Sequence, residues 1–119
     1  MTSQRSIGYL GPHGTFTEQA VLSEPDLAEC EGKLFSSMPA VLNAVESGEL
    51  DLGFAAIENS IEGTVNATID TLAFSSNLLI QREVVIPISM ELLVAPGTTL
   101  ESIETVVSFP HAIAQCRAW

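Results

Sequence analysis

Three short stretches carry glycine, hydroxyl or amide groups in a way suited to holding a small anion. They are Gly11 to Thr17, Glu58 to Thr64, and Ser108 to Gln115. Each follows a short apolar run and leads into a helical pattern. A helix amino terminus offers unpaired N–H groups and roughly +0.5 charge, so three of them on one crevice would attract a carboxylate. Singly, each stretch also has an ordinary structural reading. Gly11-x-x-Gly14 makes a tight turn, and no Lys-Ser/Thr pair follows it as a Walker A loop requires. Glu58, Asn59 and Ser60 also suit a strand end and a helix cap. Ser108 suits a cap ahead of Pro110, and Gln115 a solvated helix position. His13 and His111 read as loop or cap residues. Ser60 with either histidine lacks the G-x-S-x-G elbow of a hydrolase. Neither histidine sits in a metal-ligand spacing. Cys30 and Cys116 are too far apart for a metal or redox pair and read as free cytosolic thiols.

The elements that must position these groups follow from hydrophobic spacing. Ser6 to Leu10 reads as a first strand. Thr15 and Glu18 form a capping box, with a helix running to about Leu22 before Pro25 stops it. Lys33 to Phe35 reads as a second strand. A helix opens at Ser36-Ser37-Met38-Pro39, where Met38, Val41, Leu42 and Val45 share one face, and Gly48 ends it. Leu52 to Ile57 is apolar on both faces, as a central parallel strand is. Val65, Ile69, Leu72 and Ala73 mark a further amphipathic helix. Strands alternating with helices imply a parallel α/β layer, whose ligands bind at the carboxyl ends of its strands. Beyond residue 77 the pattern turns β-rich. Strands are expected within Leu78 to Ile88, at Leu92 to Ala95 and at Val106-Val107. One helical turn is expected within Thr99 to Glu104, and a helix from Pro110. The expected division is a first lobe over 1–77 and the beginning of a second over 78–119.

The 119 residues include 15 acidic and 4 basic side chains, a net charge of −11, with 46% hydrophobic residues. That is apolar enough for a core, and disorder is not expected. Four cations cannot neutralise a row of phosphates, so nucleic acid is an unsuitable partner. Anionic membrane surfaces are equally disfavoured. No run approaches the ~18 apolar residues of a membrane span. No secretory signal is visible at the amino terminus, so a cytoplasmic location is expected.

Taken together, the motifs resemble a known family. Gly8-Tyr9-Leu10-Gly11-Pro12-His13-Gly14-Thr15-Phe16-Thr17 resembles the opening of prephenate dehydratases. Ala56-Ile57-Glu58-Asn59-Ser60-Ile61-Glu62-Gly63-Thr64-Val65 resembles their central signature, with Asp70 and Leu72 following. Val107-Ser108-Phe109-Pro110-His111-Ala112-Ile113-Ala114-Gln115-Cys116 is similar to their Ser-His-Pro-Gln…Gln-Cys segment. The resemblance implies a type 2 periplasmic-binding-protein-like α/β fold of two lobes with substrate in the cleft. It implies conversion of prephenate to phenylpyruvate, water and carbon dioxide on the route to phenylalanine, with no metal or organic cofactor. It also implies a homo-oligomer. By the same resemblance Glu58, Asn59 and Ser60 line the cleft, Ser108 and Gln115 face it from the other lobe, and Thr15 and Phe16 lie beside it. Asn59, Ser60, Ser108 and Gln115 are neutral donors suited to orienting carboxylates. Glu58 would face an anionic substrate, so it either positions a neighbour or enters a closed cleft protonated.

The departures from the family are specific. Its Thr-Arg-Asp motif, which the resemblance makes the source of the acid, has no counterpart, since no Thr-Arg pair occurs in the chain. The family's His-Pro-Gln is Phe109-Pro110-His111 here, so those side-chain roles do not transfer. The sequence therefore reads as an amino-terminal piece of such an enzyme, inactive alone, with its acid expected downstream of Trp119. An edge at Val106-Val107 or within 84–95 would then invite dimerisation or strand exchange. The competing reading is a non-catalytic module of the same fold that binds a small carboxylate.

Overall fold

The computed structural model describes residues 3–61 and 63–119. Glu62, within the second motif, lies outside them, as do Met1 and Thr2. Strand β1 (Ser6–Leu10) is the centre of the layer. It pairs in parallel with β2 (Glu31–Phe35) on one side and β3 (Leu52–Phe54) on the other, giving the order β2-β1-β3. Its side chains alternate between the two faces. Ile7 and Tyr9 pack with Val21 and Leu27, and Leu52, Phe54 and Cys30 close around them. This face is covered by α1 (Phe16–Ser23) and α2 (Pro25–Ala28). The expected stop at Pro25 holds for α1. The same proline then opens α2, because a missing N–H is harmless in a helix's first turn.

On the other face Gly8 and Gly53 stand opposite each other in register. Above them lies α3 (Met38–Glu46), started by Ser37, whose hydroxyl accepts from the Ala40 N–H at 3.2 Å. A Cβ on Gly53 would lie 2.9 Å from Val45 Cγ2 and 3.1 Å from Val41 Cγ1. A Cβ on Gly8 would overlap Leu50 and come within 2.8 Å of Phe35. The pair of bare backbones lets α3 bury Val41 and Leu42 directly on the sheet. Burying one such side chain is worth roughly 1.5–3 kcal/mol. At the amino end of the layer, Ser6 and Asp51 join β1 to the start of β3. The Ser6 N–H and hydroxyl donate to Asp51 Oδ2 at 2.8 and 3.0 Å, and the Asp51 N–H returns a bond to Ser6 Oγ at 3.1 Å. The Ser6 backbone donor, seconded by its hydroxyl, holds the Asp51 carboxyl below the usual range.

Several elements differ from expectation. The third strand ends at Phe54, not Ile57. Its neighbour β1 stops at Leu10, and Pro12 has no N–H with which to continue a ladder. Residues 55–57 are held instead by the next helix, α4 (Asn66–Phe74): Thr68 Oγ1 donates to the Ala56 carbonyl at 2.7 Å, and the Val65 N–H to that of Ile57 at 2.9 Å. The face of α4 that is buried carries Thr68 and Thr71, while Ile69 and Leu72 are half-buried and Ala73 is exposed. Both threonine hydroxyls donate to backbone carbonyls, Thr71 to Ala67 at 2.8 Å, so they enter the α3–α4 contact without a stranded polar group.

The expected strands within 78–88, 92–95 and 106–107 do not form. A strand exists only against a hydrogen-bonded neighbour, and these runs have none among the described residues. Leu79, Val85, Leu93 and Val107 are all exposed. The stretch is tethered at its start, where Asn77 donates to the Glu46 carboxylate. Arg82 then bridges Glu24 and Asp26 at 3.1 and 2.5 Å. Further on, a 3₁₀ turn (Leu100–Ser102) and α5 (Pro110–Gln115) form where a helical turn and a helix were expected.

Gly53→Ala tests the close approach of α3. Valine is stiff at χ1 in a helix, so the added methyl forces a backbone shift. The substitution is expected to lower the urea midpoint by the equivalent of about 1–3 kcal/mol with no change of slope. An unchanged midpoint would contradict the packing described.

Candidate functional site

Parallel pairing puts the carboxyl ends of β1 and β3 side by side, with Tyr9 opposite Phe54. The chain leaves β1 for α1 over one face and leaves β2 for α3 over the other. The β1–β3 boundary is therefore the switch point of the sheet, the place where open α/β layers take ligands. Two of the three stretches singled out in the sequence start there.

The first is the loop from Gly11 to Thr15, which contains a cis Gly11–Pro12 bond and a glycine at φ +90°, Gly14. Thr15 caps α1: its hydroxyl oxygen accepts from the Glu18 N–H at 3.1 Å, and the hydroxyl lies 3.4 Å from the Leu10 carbonyl it points to. Glu18 does reach back as the capping box predicts, but to Gly14 instead of Thr15. Its Oε1 accepts from the Gly14 N–H at 2.9 Å. Its Oε2 lies 2.6 Å from His13 Nδ1 and 3.4 Å from the Tyr9 hydroxyl. The Gly14 donor and then His13 hold the Glu18 carboxyl below its ordinary value. Tyr9 is pushed up, chiefly by burial and then by the Glu18 charge. Phe16 opens α1 with its ring partly exposed.

The second stretch is a small hairpin. Strands β4 (Glu58–Asn59) and β5 (Gly63–Thr64) pair antiparallel, Glu58 with Thr64 and Asn59 with Gly63. Asn59 Oδ1 accepts from the Ile61 N–H at 2.9 Å, closing the tip. Gly63 sits at φ +84°, a conformation that favours glycine. Glu58 and Ser60 are exposed and Asn59 is half-buried. The triplet is thus carried on a hairpin between β3 and α4 and does not simply end β3.

The third stretch is placed differently. Gln115 is the last residue of α5, and Ser108 precedes Phe109, which occupies the cap position without a side-chain cap bond. Thr15 and Phe16 thus follow β1, and Glu58, Asn59 and Ser60 follow its neighbour β3, while Ser108 and Gln115 flank and end the later α5. Ser36-Ser37, named above only as a helix start, lies where β2 gives way to α3 on the same carboxyl edge. The sequence reading passed over the joining of Glu18 to His13 and Tyr9. The spacing i, i+5 from His13 to Glu18 across a glycine turn was the available signal. Two shallow apolar depressions lie elsewhere, one beside Trp119 and one between α4 and Leu78 to Ile80. Among the described residues, no group of three or more His, Cys, Asp or Glu could hold a metal. No helix there is long and apolar enough to cross a membrane.

A parallel α/β layer with flanking helices and polar loops at its switch point defines a class of small-ligand proteins. Comparison with known proteins narrows the class. The prephenate dehydratase family model matches residues 7–119, and the chain belongs to that family. It is 40% identical over 119 residues to a prephenate dehydratase of Mycobacteroides abscessus and 42% identical over 123 to one of Mycolicibacterium smegmatis, each match covering 95% of this chain. It spans 39% of the length of either relative. A prephenate dehydratase from Arthrobacter aurescens, solved in complex with L-Phe, superposes with a TM-score of 0.52 at 40% identity, over 57% of this chain and 22% of that one. The enzyme from Streptococcus mutans gives 0.50 at 32% identity, over 62% and 38%. The expected fold class is that of these structures.

The tie between Glu18 and the loop has a pH signature. A carboxyl lowered in the folded state keeps its contribution above the unfolded value, about 4.3, and loses it as pH falls through the folded value. The ¹³C carboxyl signal of Glu18 should therefore titrate below the ordinary glutamate value, and His13→Ala should move it part of the way back. A midpoint at or above the ordinary value would contradict the network.

Proposed function

We propose that the carboxyl edge of this layer binds prephenate and forms the first-lobe wall of a prephenate dehydratase cleft. The observation that carries this reading is the strand order, which brings the Thr15-Phe16 loop and the Glu58–Ser60 hairpin to neighbouring strand ends in a chain of this family. Residues 78–119 begin the second lobe in this reading, and bring Ser108 and Gln115 to the substrate's far side.

Prephenate carries two carboxylates and a ring hydroxyl. Taking up one proton at the departing hydroxyl, it loses water and carbon dioxide and becomes phenylpyruvate. Aromatisation supplies the driving force, so the protein's task is to hold the substrate and deliver that proton. Asn59, Ser60, Ser108 and Gln115 orient the carboxylates as neutral donors. Phe16 offers an apolar edge to the ring. Thr15, with its hydroxyl engaged at the cap, acts by fixing the first turn of α1. Glu58 repels the carboxylates directly, so its role is to hold a neighbouring donor. The proton donor belongs to a part of the relatives that this chain does not span. The protein acts without a cofactor, in the cytoplasm, as a homo-oligomer. Its free Cys30 and Cys116 and its exposed apolar side chains support the last two points.

Phenylpyruvate absorbance in alkali separates the outcomes. The 119-residue chain should show no turnover, and the chain extended through its natural downstream residues should turn prephenate over. In the extended chain Asn59→Ala should lower kcat/KM by about tenfold or more, the scale of one hydrogen bond to a charged ligand. Equal turnover by the short chain would return the acid to Glu58, Ser108 or Thr15. Binding without turnover in both would favour a carboxylate-binding module.

A further inference from the structure

We infer that His13, oriented by Glu18, is the group that receives a substrate carboxylate at this edge, an inference that rests on the reading of the edge as the prephenate surface. The argument starts from where the positive charge lies. Arg5 and Lys33 act on Asp51, which is bonded to Ser6 at the amino end of β1. Arg82 is held by Glu24 and Asp26. Arg117 and His111 belong to the α5 segment. Of the Lys, Arg and His side chains, His13 is the one in a loop that leaves the carboxyl edge. A dianion arriving there meets the Glu58 carboxylate, and the His13 imidazole is the basic side chain of this layer that can take a proton to offset it.

The geometry prepares the ring for that role. An ionised carboxylate accepts and cannot donate, so the 2.6 Å contact puts the proton of the pair on Nδ1. Nε2 is then the outward nitrogen, a donor when the ring is charged. The His13 side chain is 77% exposed while that of Glu18 is 14% exposed, so the ring is open to a ligand and its anchor is shielded. Glu18 is itself fixed by the Gly14 N–H and faced by the Tyr9 hydroxyl, the two groups that meet it from the loop and from β1. The ring is thus aimed by a carboxylate that has little freedom to follow it. A charge-assisted bond from Nε2 to a substrate carboxylate adds both affinity and orientation. Glu18 acts here as a positioning residue.

The test is prephenate binding to the ¹⁵N-labelled chain, followed by NMR together with the imidazole nitrogen signals. The ring should show the Nδ1–H tautomer when neutral, and its Nε2 signal should move on addition of prephenate. His13→Gln should weaken binding about tenfold, and His13→Lys should retain most of the affinity. Glu18→Gln should mix the two tautomers and weaken binding with His13 still present. If His13→Gln leaves the dissociation constant unchanged while Asn59→Ala raises it, the inference is overturned and the functional reading stands. If the unsubstituted chain shows no saturable binding, both are overturned.

Discussion

The arrangement depends on one close approach. Two glycines, Gly8 and Gly53, stand opposite each other in the central ladder, Gly53 leaving room for Val41 and Val45 of α3 and Gly8 for Leu50 and Phe35. With α3 seated there, β3 is held beside β1, and the carboxyl ends of the two strands become neighbours. Thr15 and Phe16 follow one of those ends, and Glu58, Asn59 and Ser60 follow the other. A side chain at Gly53 would lift α3, and one at Gly8 would displace Leu50 and Phe35. Interiors packed at crystal density transmit such shifts instead of absorbing them.

Charge is distributed along the same axis. The amino end of the layer gathers Asp51 with Arg5 and Lys33 nearby, and Arg82 fastens the following segment at the α1–α2 junction. The carboxyl end has a carboxylate, Glu18, already occupied by a backbone donor, an imidazole and a phenol. A chain with a net charge of −11 can therefore offer an edge where backbone amides and an imidazole, and not lysines or arginines, meet an anion.

Much of the first layer was legible in the sequence because its signals are local. The Thr15 cap, the Ser37 helix start, the Met38-Val41-Leu42-Val45 face and the glycine stop each operate within a few residues. The order of strands and helices followed from their alternation, and the motifs around Gly11 and Glu58 led to the right family. What was not legible depends on distant partners. The apolar runs at 78–88 and 92–95 have strand composition, yet a strand needs a neighbour that the pattern cannot supply. The buried face of α4 was misread because Thr68 and Thr71 look polar, and only the structure shows their hydroxyls taken up by backbone carbonyls. Glu18 was read as closing a capping box. Its bond to Gly14 and its pairing with His13 arise from the turn between them, which no periodicity describes.

The central claim is that substrate meets this layer at the carboxyl ends of β1 and β3. Mapping backbone amide shifts of the labelled chain on titration with prephenate tests it most directly. The account predicts saturable shifts confined to Gly11 to Phe16 and Ile57 to Ser60, with Arg5, Glu31 and Asp51 at the opposite end unmoved. Shifts centred on that opposite end, or on the apolar groove between α4 and Leu78 to Ile80, would contradict it.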